Sequence, residues 1–243
     1  MLTDELAAAD AIIDLVRNNL PPGLGRGDTG EAIMYGTYPR ALRRFIHIRD
    51  LAREGAGDEA MILARSLLSM VARAIWIDVP PDAGERRTRF ERWKKRELED
   101  ELKEAHGLEA AGFPVEIDYD DYEATLAKLE GVAAMPNDRD LLASLKLVPY
   151  YERIYRAGSK HMHFTLHHAM DELLAAAAAS EDLPLERPDP ELSSEVVTVA
   201  ILTYAMFLEA AEGTVKHGLT HRVAQILADS PAFPDFPRPI QRA

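Results

Sequence analysis

Half of the histidines in this chain fall within eight residues: His161, His163, His167 and His168. They follow Tyr151, Tyr155, Arg156 and Ser159. On a continuous helix, Tyr155, Ser159 and His163 stack at four-residue intervals, and Arg156 lies two turns from His163 on the same face. Imidazole, guanidinium, hydroxyl and phenol are thereby gathered, and three chemistries fit them. His163 and His167 have the i, i+4 spacing of helical zinc ligands, but no His-Glu-x-x-His or Glu-x-x-His run accompanies them, and no metal or cofactor is expected. Acid–base chemistry on a phosphodiester is the second: His moves protons near neutral pH, and Arg stabilises charge on phosphoryl oxygens. The third is structural, with these groups hydrogen-bonding across a helix interface or meeting a partner protein.

A second row lies on an otherwise apolar stretch. Between Ala60 and Ile77 only Arg65, Ser66, Ser69 and Arg73 are polar. Arg65, Ser69 and Arg73 are four apart and form one line along a helix. Facing solvent, the line needs nothing further. Facing inward, its two guanidiniums require an anion, which a carboxylate elsewhere in the fold, a phosphate or a ligand carboxylate would supply.

The chain carries a formal net charge of −13, which argues against a protein that coats nucleic acid over its whole surface. A local basic run exists nonetheless. Arg86, Arg87, Arg89, Arg92, Lys94, Lys95 and Arg96 fall within eleven residues, and they are either a solvated helix face or the wall of an RNA-binding cleft.

Tyr38-Pro39-Arg40, Ala64-Arg65-Ser66-Leu67-Leu68, and Tyr151, Tyr155-Arg156, Ser159 and His163 together resemble the bacterial domain-of-unknown-function family 5677. The resemblance spans roughly residues 35 to 180 and implies an all-helical fold without an assigned activity. Where that family's pattern places Glu four residues after the motif Arg, this chain has Ser69. The chain is also similar to the HEPN superfamily of helical, often dimeric, metal-independent ribonucleases, whose signature is Arg, four to six residues, then His. Arg156 with His161 has four between, and Arg156 with His163 has six. That resemblance implies His163, or His161, assisting 2′-hydroxyl attack or leaving-group protonation, Arg156 stabilising the transition state, and a homodimer. The alternative is a non-catalytic helical module that binds an anionic ligand or partner protein through Arg65, Ser69, Arg73, Tyr155 and Ser159.

These residues must be positioned by helices, because strand signals are nearly absent. The pattern predicts one all-α domain over residues 1–243: an N-terminal helix at 4–20, a Gly-rich linker at 21–38, a main bundle at 39–229 and a Pro-rich tail at 230–243. Within it, helices are expected from Pro39 to Gly55, from an Asp58 cap to Pro80, at 82–106, 120–134 and 138–146, from Pro149 toward Ser180, and at 192–216 and 220–229. Gly25-Arg26-Gly27-Asp28-Thr29-Gly30 matches Gly-x-Gly-x-x-Gly literally, but a helix and two prolines precede it instead of a strand, so it reads as linker. With 47% hydrophobic residues the chain has ample core material, and without Cys it has no disulfide or thiolate site. The acidic start Met1-Leu2-Thr3-Asp4-Glu5 lacks signal-peptide character. Ala60–Ile77 is interrupted by arginines, and Val196–Leu208 is too short to cross a bilayer about 30 Å thick, so no membrane span and a cytoplasmic location are expected.

Overall fold

The computed structural model describes residues 2–19, 27–150, 152, 154 and 189–236. The helices are α1 (Leu2–Arg17), α2 (Thr29–Arg53), α3 (Gly57–Asp78), α4 (Ala83–Ala110), α5 (Tyr119–Lys128), α6 (Asp138–Ser144), α7 (Pro190–Val215) and α8 (Thr220–Asp229), with a single turn at Val148–Tyr150. No strand occurs among the described residues, and the fold is all-α.

Short acidic and amide side chains start most of these helices. Asp28, Asp82, Asp118, Asn137 and Asp189 each accept a hydrogen bond from the backbone N–H three residues on, which satisfies a donor that the first turn leaves open. Pro190 follows Asp189 at the first helical position, where its missing N–H costs nothing.

The Asp28 cap changes the reading of the Gly-rich stretch. Its Oδ1 accepts from the Glu31 N–H at 3.0 Å, while the Glu31 carboxylate reaches back to the Gly27 N–H. Helix α2 therefore begins at Thr29, ten residues before the proline expected to open it, so residues 29–38 of the expected linker are helical. Pro39 sits inside the helix on its exposed side. The Tyr35 carbonyl that loses its partner there is on the same outward side, where water can replace the bond.

The end of α2 is equally compact. Gly55 takes φ +85°, and the Ala56 N–H reaches the Leu51 carbonyl at 2.9 Å, a Schellman closure that returns the chain at once into α3. Asp58, expected to cap α3, instead lies within its first turn, where a negative charge suits the helix dipole.

Helices α2, α3 and α7 form the centre, with α1 against α7 and α8 closing the end. One contiguous core joins them, containing Ile12, Phe45, Leu67, Leu68, Tyr204 and Phe207 among its wholly buried side chains. Phe45 stacks on Tyr204 at 4.9 Å between centroids. Each such side chain contributes about 1.5–3 kcal/mol through removal from water. Both α3 and α7 are long and apolar enough to span a bilayer, α7 being longer than the Val196–Leu208 stretch suggested, and in this fold more than half of each is buried among other helices. Helix α4 has only Arg86 and Ala105 buried and lies across α2 and α3, with α5 packed on it. The start of the Pro-rich tail returns to the core through Phe233 and Phe236.

The entry to the central helices leaves no room for a side chain at one point. A Cβ on Gly57 would stand 3.0 Å from Leu192 Cγ and 3.1 Å from the Ser193 backbone nitrogen. Substitution Gly57→Val should therefore destabilise the fold by about 1–3 kcal/mol through overpacking. Urea unfolding checks this, and an unchanged midpoint would mean that α3 and α7 do not approach so closely.

Candidate functional site

The row on α3 is held by the protein's own acids. Arg73 donates through Nη1 to Glu97 Oε1 at 3.2 Å and through Nη2 to Asp138 Oδ1 at 3.3 Å. Ser69 donates to the other oxygen of Asp138 at 3.3 Å. The acid missing from the α3 row is thus supplied by the first residue of α6, where the helix N-terminus also favours a carboxylate. Glu97 is shared with the Trp93 indole N–H at 3.1 Å, so Arg73 ties α4 and α6 to the core. Arg65 is half-buried and also has an interaction partner. Ser69 and Arg73 therefore form a structural junction, and of the anions the sequence left open for this row it is carboxylates of the fold that meet them.

Five of the seven cations in the basic run on α4 are taken up in a similar way. Arg86 is buried and donates to the Pro80 carbonyl at 2.6 Å and to Asp28 at 2.8 Å. Arg87 pairs with Glu91, Arg89 with Glu85, and Arg96 with Asp100, each four residues apart. Arg89 also lies 5.0 Å from the centre of the Trp76 ring, and Lys95 donates to the Val132 carbonyl. Of the seven cations, Arg92 and Lys94 alone have no such partner among the described residues.

A different set of basic residues has no acid beside it among the described residues. Arg40, Arg43, Arg44 and His47 follow one another at i, i+3, i+4 and i+7 on α2 and share one face. Arg40, Arg43 and His47 are exposed, and neither Arg40 nor Arg43 has a partner among the described residues. Arg44 is half-buried and contacts Met70 Sδ at 2.8 Å. Its pKa is pushed below the usual arginine value, first by burial and then by repulsion from Arg40 and Arg43. The density of charge on α4 draws attention away from this shorter cluster. Its signal in the sequence is that no acid stands three or four residues from any of the three arginines, whereas α4 carries Glu85, Glu91, Glu97 and Asp100 among its cations.

The remaining expected site residues, Tyr155, Arg156, Ser159, His161 and His163, lie outside the described residues. Ile154, two positions before Arg156, is wholly buried. Tyr38 of the Tyr-Pro-Arg motif is a core residue whose phenol burial pushes well above its usual pKa, so the exposed Arg40 is the member of that motif available to a ligand. Among the described residues, no three His, Asp or Glu side chains are grouped so as to hold a metal ion.

The molecule is thus an all-α protein with a basic helix face and an internally neutralised arginine junction. A family model described as a family of unknown function, DUF5677, matches residues 31–176, more than half of the chain. The chain belongs to that family. No curated protein and no solved structure matches it.

If Arg73 and Asp138 act as one junction, a double-mutant cycle with Arg73→Ala and Asp138→Ala should return a coupling of about 0.5 kcal/mol or more in unfolding free energy. Simple additivity would mean that the pair holds nothing together.

Proposed function

We propose that this protein binds RNA through the α2 face and acts on it as a metal-independent endonuclease of HEPN type. The observation that carries the reading is the ridge of Arg40, Arg43 and Arg44, with no acid beside it among the described residues, on a chain of net charge −13. Like charges at i, i+3 and i+4 cost a helix a few tenths of a kcal/mol per pair. A polyanion removes that repulsion on binding, and guanidiniums suit phosphate oxygens in both charge and shape. The family match also spans the Arg156 and His163 segment, which would supply chemistry that the ridge itself lacks. In that scheme His163, with His161 as its neighbour, moves the proton of the attacking or leaving oxygen. Arg156 stabilises the phosphoryl charge.

The second reading is a non-catalytic module that holds a small anion or an acidic protein on the same ridge. It draws on the same arginines and needs nothing from the histidines.

Two measurements separate the readings. A fluorescent single-stranded oligouridylate should bind with an affinity that falls as salt rises. Arg40→Glu or Arg43→Glu, each taking one guanidinium away from the phosphates, should flatten the log–log salt slope by about 0.7. Binding that is absent, or unchanged in both variants, rules out RNA at this face. For catalysis, His163→Ala should lower RNA cleavage by about 10²-fold or more while binding persists. Binding without cleavage by the wild-type protein leaves the module and removes the nuclease.

A further inference from the structure

A cavity of about 750 Å³ opens beside the first half of α7. Its volume is in the range that encloses a small organic molecule. Leu2, Ile154, Val199 and Leu202 supply apolar wall. Along α7, Glu191, Ser194 and Glu195 add a polar edge at one-turn spacing, and no cation is among the described lining residues.

Behind this wall stands a buried acid. Glu5 of α1 is only 5% exposed, and its Oε1 accepts the Ser194 hydroxyl at 2.8 Å. Its Oε2 is buried with no hydrogen-bond partner. A carboxylate taken out of water with one oxygen unsatisfied is costly, and the cost falls when a cation approaches. Ser194 donates its proton to Glu5, so its lone pairs remain to accept from a donor inside the cavity.

From the buried Glu5 carboxylate behind Ser194, we propose that the cavity is a binding site for a small amphipathic organic cation. The ammonium donates to Ser194 Oγ, Glu5 balances the charge through that hydroxyl, Glu191 adds negative potential at the edge, and the apolar body lies against Val199 and Leu202. This site is separate from the α2 ridge and carries the opposite charge preference, so it stands whether or not RNA binds there.

The test uses three probes of one size at neutral pH: hexylammonium, hexanol and hexanoate, followed by calorimetric titration of the full-length protein. Hexylammonium should bind about tenfold or more tighter than hexanol, the increment of a charge-assisted hydrogen bond, and hexanoate should be the weakest. Glu5→Gln should remove the preference for hexylammonium while leaving hexanol binding unchanged. Ser194→Ala, which keeps the acid and breaks the relay, should reduce that preference, and it serves should Glu5→Gln fail to fold. Equal affinity for hexylammonium and hexanol leaves an apolar cavity and overturns the cation site. Absence of binding by any probe, or a preference that survives both substitutions, overturns it as well.

Discussion

The burial of α7 is the constraint on which the remaining structure depends. Its 26 residues are apolar on most sides, so a single neighbour cannot cover it. Helices α2 and α3 take one side, α1 another, and α8 folds back over its end. The close pass of Gly57 over Leu192 and Ser193 sets how deeply α7 enters this group. At that end one face of α7 forms a cavity wall with Glu191, Ser194 and Glu195 along its edge. At the other end Glu212 closes the corner into α8 by accepting from the Gly218 N–H and the Thr220 hydroxyl, both at 3.0 Å. Burial works to raise the Glu212 pKa, but these bonds and the nearby His217 outweigh it and hold the carboxyl below its ordinary range.

Charge follows a similar rule of partnership. Arginines that touch the core find acids on neighbouring elements, as Arg73 does with Glu97 and Asp138, and Arg86 with Asp28. On α4, Arg87, Arg89 and Arg96 each find an acid one turn away, whereas Arg92 does not. Among the described residues, Arg40 and Arg43 of the α2 ridge do neither, and their proximity to Arg44 is an electrostatic cost. Such local inconsistency, in a fold whose other choices agree, is where function is sought.

Much of this is legible in the sequence. Periodicity places the eight described helices in order, and the ends of α7 and α8 fall within two residues of expectation. Caps are harder to read. Asp28 follows a run of glycines and reads as linker, because its reciprocal bond with Glu31 and Gly27 depends on a geometry that composition does not reveal. The arginine row on α3 needs an anion once it turns inward, and that much the spacing conveys. Asp138, however, lies 65 positions after Arg73, and only the fold brings them together. In the basic run on α4, five of the seven cations, Arg86, Arg87, Arg89, Lys95 and Arg96, are taken up by acids or carbonyls of the fold. Subtracting the acids three or four residues away leaves Arg92 on α4 and the adjoining group of Arg40, Arg43 and Arg44 on α2. Glu5 carries no signal at all, since its burial arises from the α1–α7 contact.

Two places thus carry opposite charge preferences: an outward cationic face on α2 and an inward anionic wall between α1 and α7. Family membership adds the fold's kinship but no activity, so the weight rests on which arginines are at work. The most direct measurement follows the arginine Nε–Hε resonances by nuclear magnetic resonance while single-stranded RNA is added. The signals of Arg40, Arg43 and Arg44 should shift in a saturable way while those of Arg86, Arg87, Arg89 and Arg96 stay in place. Movement of the α4 signals with a silent α2 would contradict an RNA-binding face on α2.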